Sequence, residues 1–128
     1  MEQYGRVAVE AARLLVRDAA LTPIAAWDVA ASRIVASQAS RDKGCRRGAF
    51  LGLCEASLLQ GVSQSGGDSG GLDGEYAVRA VKALRSNPSL QYTRAELWRQ
   101  ACLDRRKVHN SQMDVVVDLS EAGFLAKA

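Results

Sequence analysis

The chain predicts an all-α protein of about six helices, arranged as two related three-helix halves. Three observations carry that prediction. Apolar residues recur at helical spacing in segment after segment, and β-branched runs are few. The composition is rich in Ala and only 5% aromatic, which suits helices meeting through small residues. One unit also occurs twice. Tyr4-Gly5-Arg6-Val7-Ala8-Val9-Glu10-Ala11-Ala12-Arg13 is answered by Tyr76-Ala77-Val78-Arg79-Ala80-Val81-Lys82-Ala83-Leu84-Arg85, 72 positions on. Thr22 to Trp27 is answered by Thr93 to Trp98, 71 positions on, so the only two tryptophans hold matching places.

The first helix is expected from about Glu2 to Arg17, with Tyr4, Val7, Ala8, Ala11, Leu14 and Leu15 on one face and Glu10, Arg13 and Arg17 on the other. Thr22-Pro23 starts the second: a hydroxyl cap, then proline where its missing N–H costs nothing. Its stripe is Ile24, Trp27, Ala31 and Ile34, fraying by Ser37 to Ser40. After a polar junction at Arg41 to Arg47, a third helix is expected from about Gly48 to Gln60, with Gly61 as its stop. Its apolar residues, Phe50, Leu51, Leu53, Cys54, Leu58 and Leu59, are too many for one face and predict burial on several sides.

The stretch 61–74 reads GVSQSGGDSGGLDG and is expected to be a Gly-rich linker between the halves 2–60 and 75–125. The fourth helix is then expected from about Glu75 to Ser86, ending before Asn87-Pro88. Thr93 and Glu96 form a capping box for the fifth, whose inward stripe is Leu97, Trp98, Ala101 and Cys102. A charged junction at Asp104 to Lys107 leads to the sixth, Gln112 to about Ala122, with Met113, Val116, Val117 and Leu119 apolar. Gly123-Phe124-Leu125 closes it with a glycine stop and a hydrophobic clasp. The halves should pack about a pseudo-twofold axis, each covering the apolar face of the other.

At 128 residues the chain is one domain by length and can bury a proper core without disulfides or metal. Seventeen basic residues against 14 acidic ones give a net charge of +3, which permits an acidic partner without demanding one. Three cysteines, an odd number, fit a reducing cytosol better than a disulfide scaffold. Met1-Glu2-Gln3-Tyr4 lacks the basic and apolar regions of a signal peptide. No stretch reaches the ~20 apolar residues of a membrane helix. The expected place is cytoplasmic, with no membrane association.

The two junctions are the candidate sites. Lys43, Cys45, Arg46 and Arg47 precede the third helix; His109, Asn110, Ser111, Gln112 and Asp114 precede or open the sixth. Free backbone N–H groups and the helix dipole already favour an anion at such places. The blander reading is a solvated loop, for no Walker-type or dinucleotide-binding glycine pattern is present.

His109 with Cys45 or Cys54 would be a nucleophile and its base, but no third orienting group can be named, so no catalytic set is expected. Nor is a metal or cofactor, since the cysteines lack ligand spacing. Cys54 and Cys102 read as core. Asp114, Asp118 and Glu121 recur at helical spacing and read as a solvent face. The second half, Thr93 to Phe124, also has a helix-turn-helix rhythm that would suit nucleic acid. Its turn is long, however, and the same three acids would repel phosphates. A homodimer would give Phe50, Leu51, Leu58 and Phe124 a place to hide.

Gly44-Cys45-Arg46-Arg47-Gly48-Ala49-Phe50-Leu51-Gly52-Leu53-Cys54-Glu55 and His109-Asn110-Ser111-Gln112-Met113-Asp114-Val115-Val116 resemble a family of small bacterial proteins, a domain of unknown function. The resemblance spans most of the chain and implies no activity, ligand or catalytic residue. The expected function is therefore a small non-enzymatic cytosolic protein that binds a partner or an anionic ligand at the basic junctions. Nucleic-acid binding through Thr93 to Phe124 is the alternative.

Overall fold

The computed structural model describes residues 3–35, 44–64, 71–86, 94–101 and 112–125. Six helices run through them: α1 (Gln3–Arg17), α2 (Pro23–Ile34), α3 (Gly44–Glu55), α4 (Gly71–Ser86), α5 (Arg94–Ala101) and α6 (Gln112–Glu121). The all-α expectation holds. Among the described residues the sole β-type pairing is one antiparallel bridge, Leu59 to Leu125.

α1 and α2 form an antiparallel pair joined by a short turn. In that turn Asp18 accepts from the N–H of Ala20 at 3.0 Å and from that of Leu21 at 3.1 Å. Thr22 caps α2 as its sequence predicts, its hydroxyl accepting from the N–H of Ala25 at 3.2 Å with Pro23 directly behind it. α2 ends at Ile34 on an extended, buried Val35. Glu10 of α1 sits 3.5 Å from Arg33 of α2, an exposed pair of small energetic weight.

The centre of the molecule is α6, which packs on α1, α3, α4 and α5. Met113, Val115, Val116 and Leu119 are wholly buried. Three consecutive valines are poor helix formers; burial on several sides outweighs that preference. α4 packs on α3, α5 and α6, and α2 covers α1 and α3. Trp27, Phe50, Leu15, Leu53 and Leu97 are further large, fully buried side chains. Phe50 and Leu51, which would have hidden in a homodimer, are consumed by the chain's own core, and Leu58 and Phe124 pack against it. A second copy is not needed to cover them.

α3 differs from expectation at both ends. It begins at Gly44, four residues before Gly48, and stops at Glu55, well short of Gln60. The stop is not Gly61 but Ser57, at φ 58. The N–H of Leu58 reaches the carbonyl of Leu53 at 3.0 Å, and that of Ser57 the carbonyl of Cys54 at 3.0 Å. This is a Schellman ending with serine in the left-handed position. α6 ends the same way. Gly123 is at φ 82, the N–H of Phe124 bonds Leu119 at 2.9 Å, and that of Gly123 bonds Ser120 at 3.1 Å. Glu55-Ala56-Ser57-Leu58-Leu59 and Glu121-Ala122-Gly123-Phe124-Leu125 are the two strings involved. Their last residues form the bridge, reinforced by the N–H of Gln60 donating to the carbonyl of Phe124 at 2.6 Å.

The expected linker 61–74 does not hold at either end. Residues 61–64 are anchored: Val62 is buried, and the Gln64 amide donates to the carbonyls of Leu15 and Asp18, both at 2.9 Å. α4 starts at Gly71, not Glu75, so 71–74 are its first turn. Residues 65–70 lie outside the described residues. The two tryptophans are both buried, but their ring partners are not counterparts. Trp27 meets Phe50 of α3 at 5.4 Å, whereas Trp98 meets Tyr76 of α4 edge-on at 5.1 Å. Tyr4, the counterpart of Tyr76, lies instead beneath an arginine.

Candidate functional site

That arginine is Arg46, on the first turn of α3. Its guanidinium carbon stands 3.9 Å from the centre of the Tyr4 ring, close enough for an electrostatic attraction to the ring face. Arg46 is half-buried there, so its planar head is pinned. Arg47, next in sequence, points elsewhere. It is half-exposed and lies 4.0 Å from the exposed Asp28 of α2. The first turn of α3 contains no acidic residue. Two cations therefore sit where the helix dipole is also positive, an arrangement unfavourable by roughly 0.3–1 kcal/mol per charge.

Two carboxyl groups of α6 are buried as well. Asp114 and Asp118 are only 7% and 1% exposed. Sequence spacing assigns them to a solvent face; that is wrong for both, and only Glu121 of the three is exposed. The reason is that α6 is central, so the face opposite its valines also meets a helix, α1. Asp118 is accommodated by Gly5: its carboxylate fills the space a Cβ on that residue would take. Arg46 and Asp118 thus reach adjacent residues of α1, Tyr4 and Gly5. Tyr4, Gly5, Arg46, Asp114 and Asp118 each make further polar or ring interactions.

Of the sequence-predicted site residues, Arg46, Arg47 and Asp114 are placed this way. Cys45 and Gln112 lie on α3 and α6, with only their backbone described. Lys43, His109, Asn110 and Ser111 lie outside the described residues. Tyr4, Gly5 and Asp118 escaped sequence reasoning as site residues. Tyr4 reads as one more apolar position of a stripe. Gly5, a glycine inside a helical pattern, was the available signal of a close approach.

Cys54 does not belong to any site. It is a free thiol in the core, and burial pushes it from 9.0 to about 12. A thiol held neutral there is a poor nucleophile. Among the described residues no group of three or more His, Cys, Asp or Glu side chains is set to hold a metal ion. No helix among them is long and apolar enough to cross a membrane. The helix-turn-helix reading requires a free recognition helix. Met113, Asp114, Val115 and Val116, the first described side chains of α6, are all buried, so these four are not available to a DNA groove.

A family model matches residues 1–126. The chain belongs to DUF6979, a family of unknown function. No curated protein and no solved structure matches it. Membership in DUF6979 assigns no role to any residue, so the chemistry around Arg46 has to be read from the groups themselves.

Proposed function

We propose that this DUF6979 member is a small non-enzymatic protein that binds an anionic group, free or carried by a partner, where α3 begins. The observation that carries the reading is Arg46, held half-buried on the Tyr4 ring beside a helix N-terminus without an acid. A pinned guanidinium has already lost much of the side-chain freedom that binding would remove. Arg47 adds a second, half-exposed cation on the same turn. An anion at this end would offset the unfavourable meeting of two arginines with the positive end of the helix dipole. Buried Asp118 against Gly5 of the same end of α1 favours a ligand that reaches only the outer donors.

The cytosol is the compartment we assign, on the odd cysteine count and the free Cys54 thiol. We also read the halves as copies of one unit folded into a single domain. The paired endings at Ser57 and Gly123 support this, and the unlike partners of Trp27 and Trp98 count against it.

The test is an NMR titration of the labelled protein with inorganic phosphate and with a phosphorylated sugar, at constant ionic strength. Saturable shifts of the Arg46 and Arg47 side-chain signals and of the backbone from 44 to 47 are expected, lost in Arg46→Gln. Unmoved signals at that turn would remove the proposal.

A further inference from the structure

A second surface lies towards the other end of α3. There α3 and α4 touch at Gly52 and Gly74, whose backbones are so close that a Cβ on Gly52 would overlap Gly74. Beyond this contact the helices part and leave an open groove of about 370 Å³. Its floor is Gly52, Ala56, Gly74 and Val78, and its walls carry Glu55, Glu75, Arg79 and Lys82. Arg79 is engaged, donating to the Ala101 carbonyl of α5 at 3.5 Å. Glu55, Glu75 and Lys82 are exposed, and among the described residues none of the three has an ion-pair partner.

We propose that this groove and the α4 ridge beside it are where a second copy of the chain docks, α4 against α4 in antiparallel order. The argument is charge complementarity. Gly71, Glu75, Val78 and Lys82 follow one another at spacings of four, three and four along one stripe of α4, the pattern by which two helices pack side by side. A twofold axis between Val78 and Arg79 is equidistant from Glu75 and Lys82. It therefore sets each Glu75 opposite the partner's Lys82, and the two valines meet at the centre. An isologous contact needs a surface that is its own complement, and one acid and one base placed evenly about an apolar centre provide it. The exposed charges and limited apolar floor make this a weak, salt-sensitive pair rather than an obligate dimer.

Sedimentation of the full chain from about 10 µM to about 1 mM at low salt tests the proposal. Wild type is expected to shift from monomer to dimer across that range. Glu75→Lys and Lys82→Glu each place like charges face to face on both sides of the axis and should each weaken association by about tenfold or more. An equimolar mixture of those two variants should associate again, and so should the doubly exchanged E75K/K82E chain. Both sites are exposed, and circular dichroism checks that each variant is folded. Wild type that stays monomeric to the top of the range overturns the proposal. So does a dimer indifferent to both reversals, or a mixture that does not recover.

Discussion

Gly5 and Ser57 show how single residues decide local structure in this chain, and each yields a measurable outcome. Gly5 has no side chain because the Asp118 carboxylate occupies its place. In an ordinary helix Gly→Ala gains about 1 kcal/mol. Here the added methyl would have to displace a buried carboxyl group, so Gly5→Ala should destabilise by roughly 1–3 kcal/mol, read as a lower denaturant midpoint. A midpoint that rises would show the notch is not needed. Ser57 holds φ 58, a conformation unfavourable for a residue with a Cβ and natural for glycine. Ser57→Gly should add about 0.5–1 kcal/mol, and Gly123→Ser at the matching cap should remove a similar amount. Cys54 is expected to resist alkylation in the native protein at pH 8, with its peptide labelled only after unfolding, as mass spectrometry would report. Its folded value of about 12 lies above the ordinary 9.0. The folded state therefore keeps a proton that the unfolded chain loses above pH 9, and the Cys54 contribution to stability falls as pH rises from about 9 towards 12.

Among the elements, α2 and α5 were the most legible in sequence. Thr22-Pro23 and the Thr93 to Glu96 box are local signals, and the helices start directly behind Thr22 and Thr93. α3 was misread at both ends. Its true stop uses serine in a role usually taken by glycine, so Gly61 looked like the better terminator and the apolar Leu58 and Leu59 looked helical. The placement of α6 was misread through its acids, because helical spacing shows that Asp114 and Asp118 share a face and says nothing of what that face meets. The α3–α4 crossing depends on bare backbone at Gly52 and Gly74. Gly52→Ala must push the two helices apart and should cost about 2 kcal/mol or more, seen as a lower melting temperature. A melting temperature equal to wild type would show that the crossing tolerates a side chain there.

At the scale of the whole molecule, the all-α class and the six helices could be read from periodicity alone, because every helix buries an apolar stripe in one shared core. The candidate site could be read only in part. Arg46 and Arg47 stood out by charge, but the partner that pins Arg46 comes from the far end of the sequence-distant α1, a contact no local pattern encodes. The role proposed for this arrangement is that an anion settles on the Arg46 and Arg47 turn and stabilises the fold. A ligand that binds only the native state raises stability with its concentration in a saturable way. Thermal unfolding in phosphate against chloride at equal ionic strength, for wild type and for the Arg46→Gln/Arg47→Gln variant, tests this most directly. The account expects a saturable rise in wild type that the variant lacks; an equal rise in both, or none in either, would contradict it.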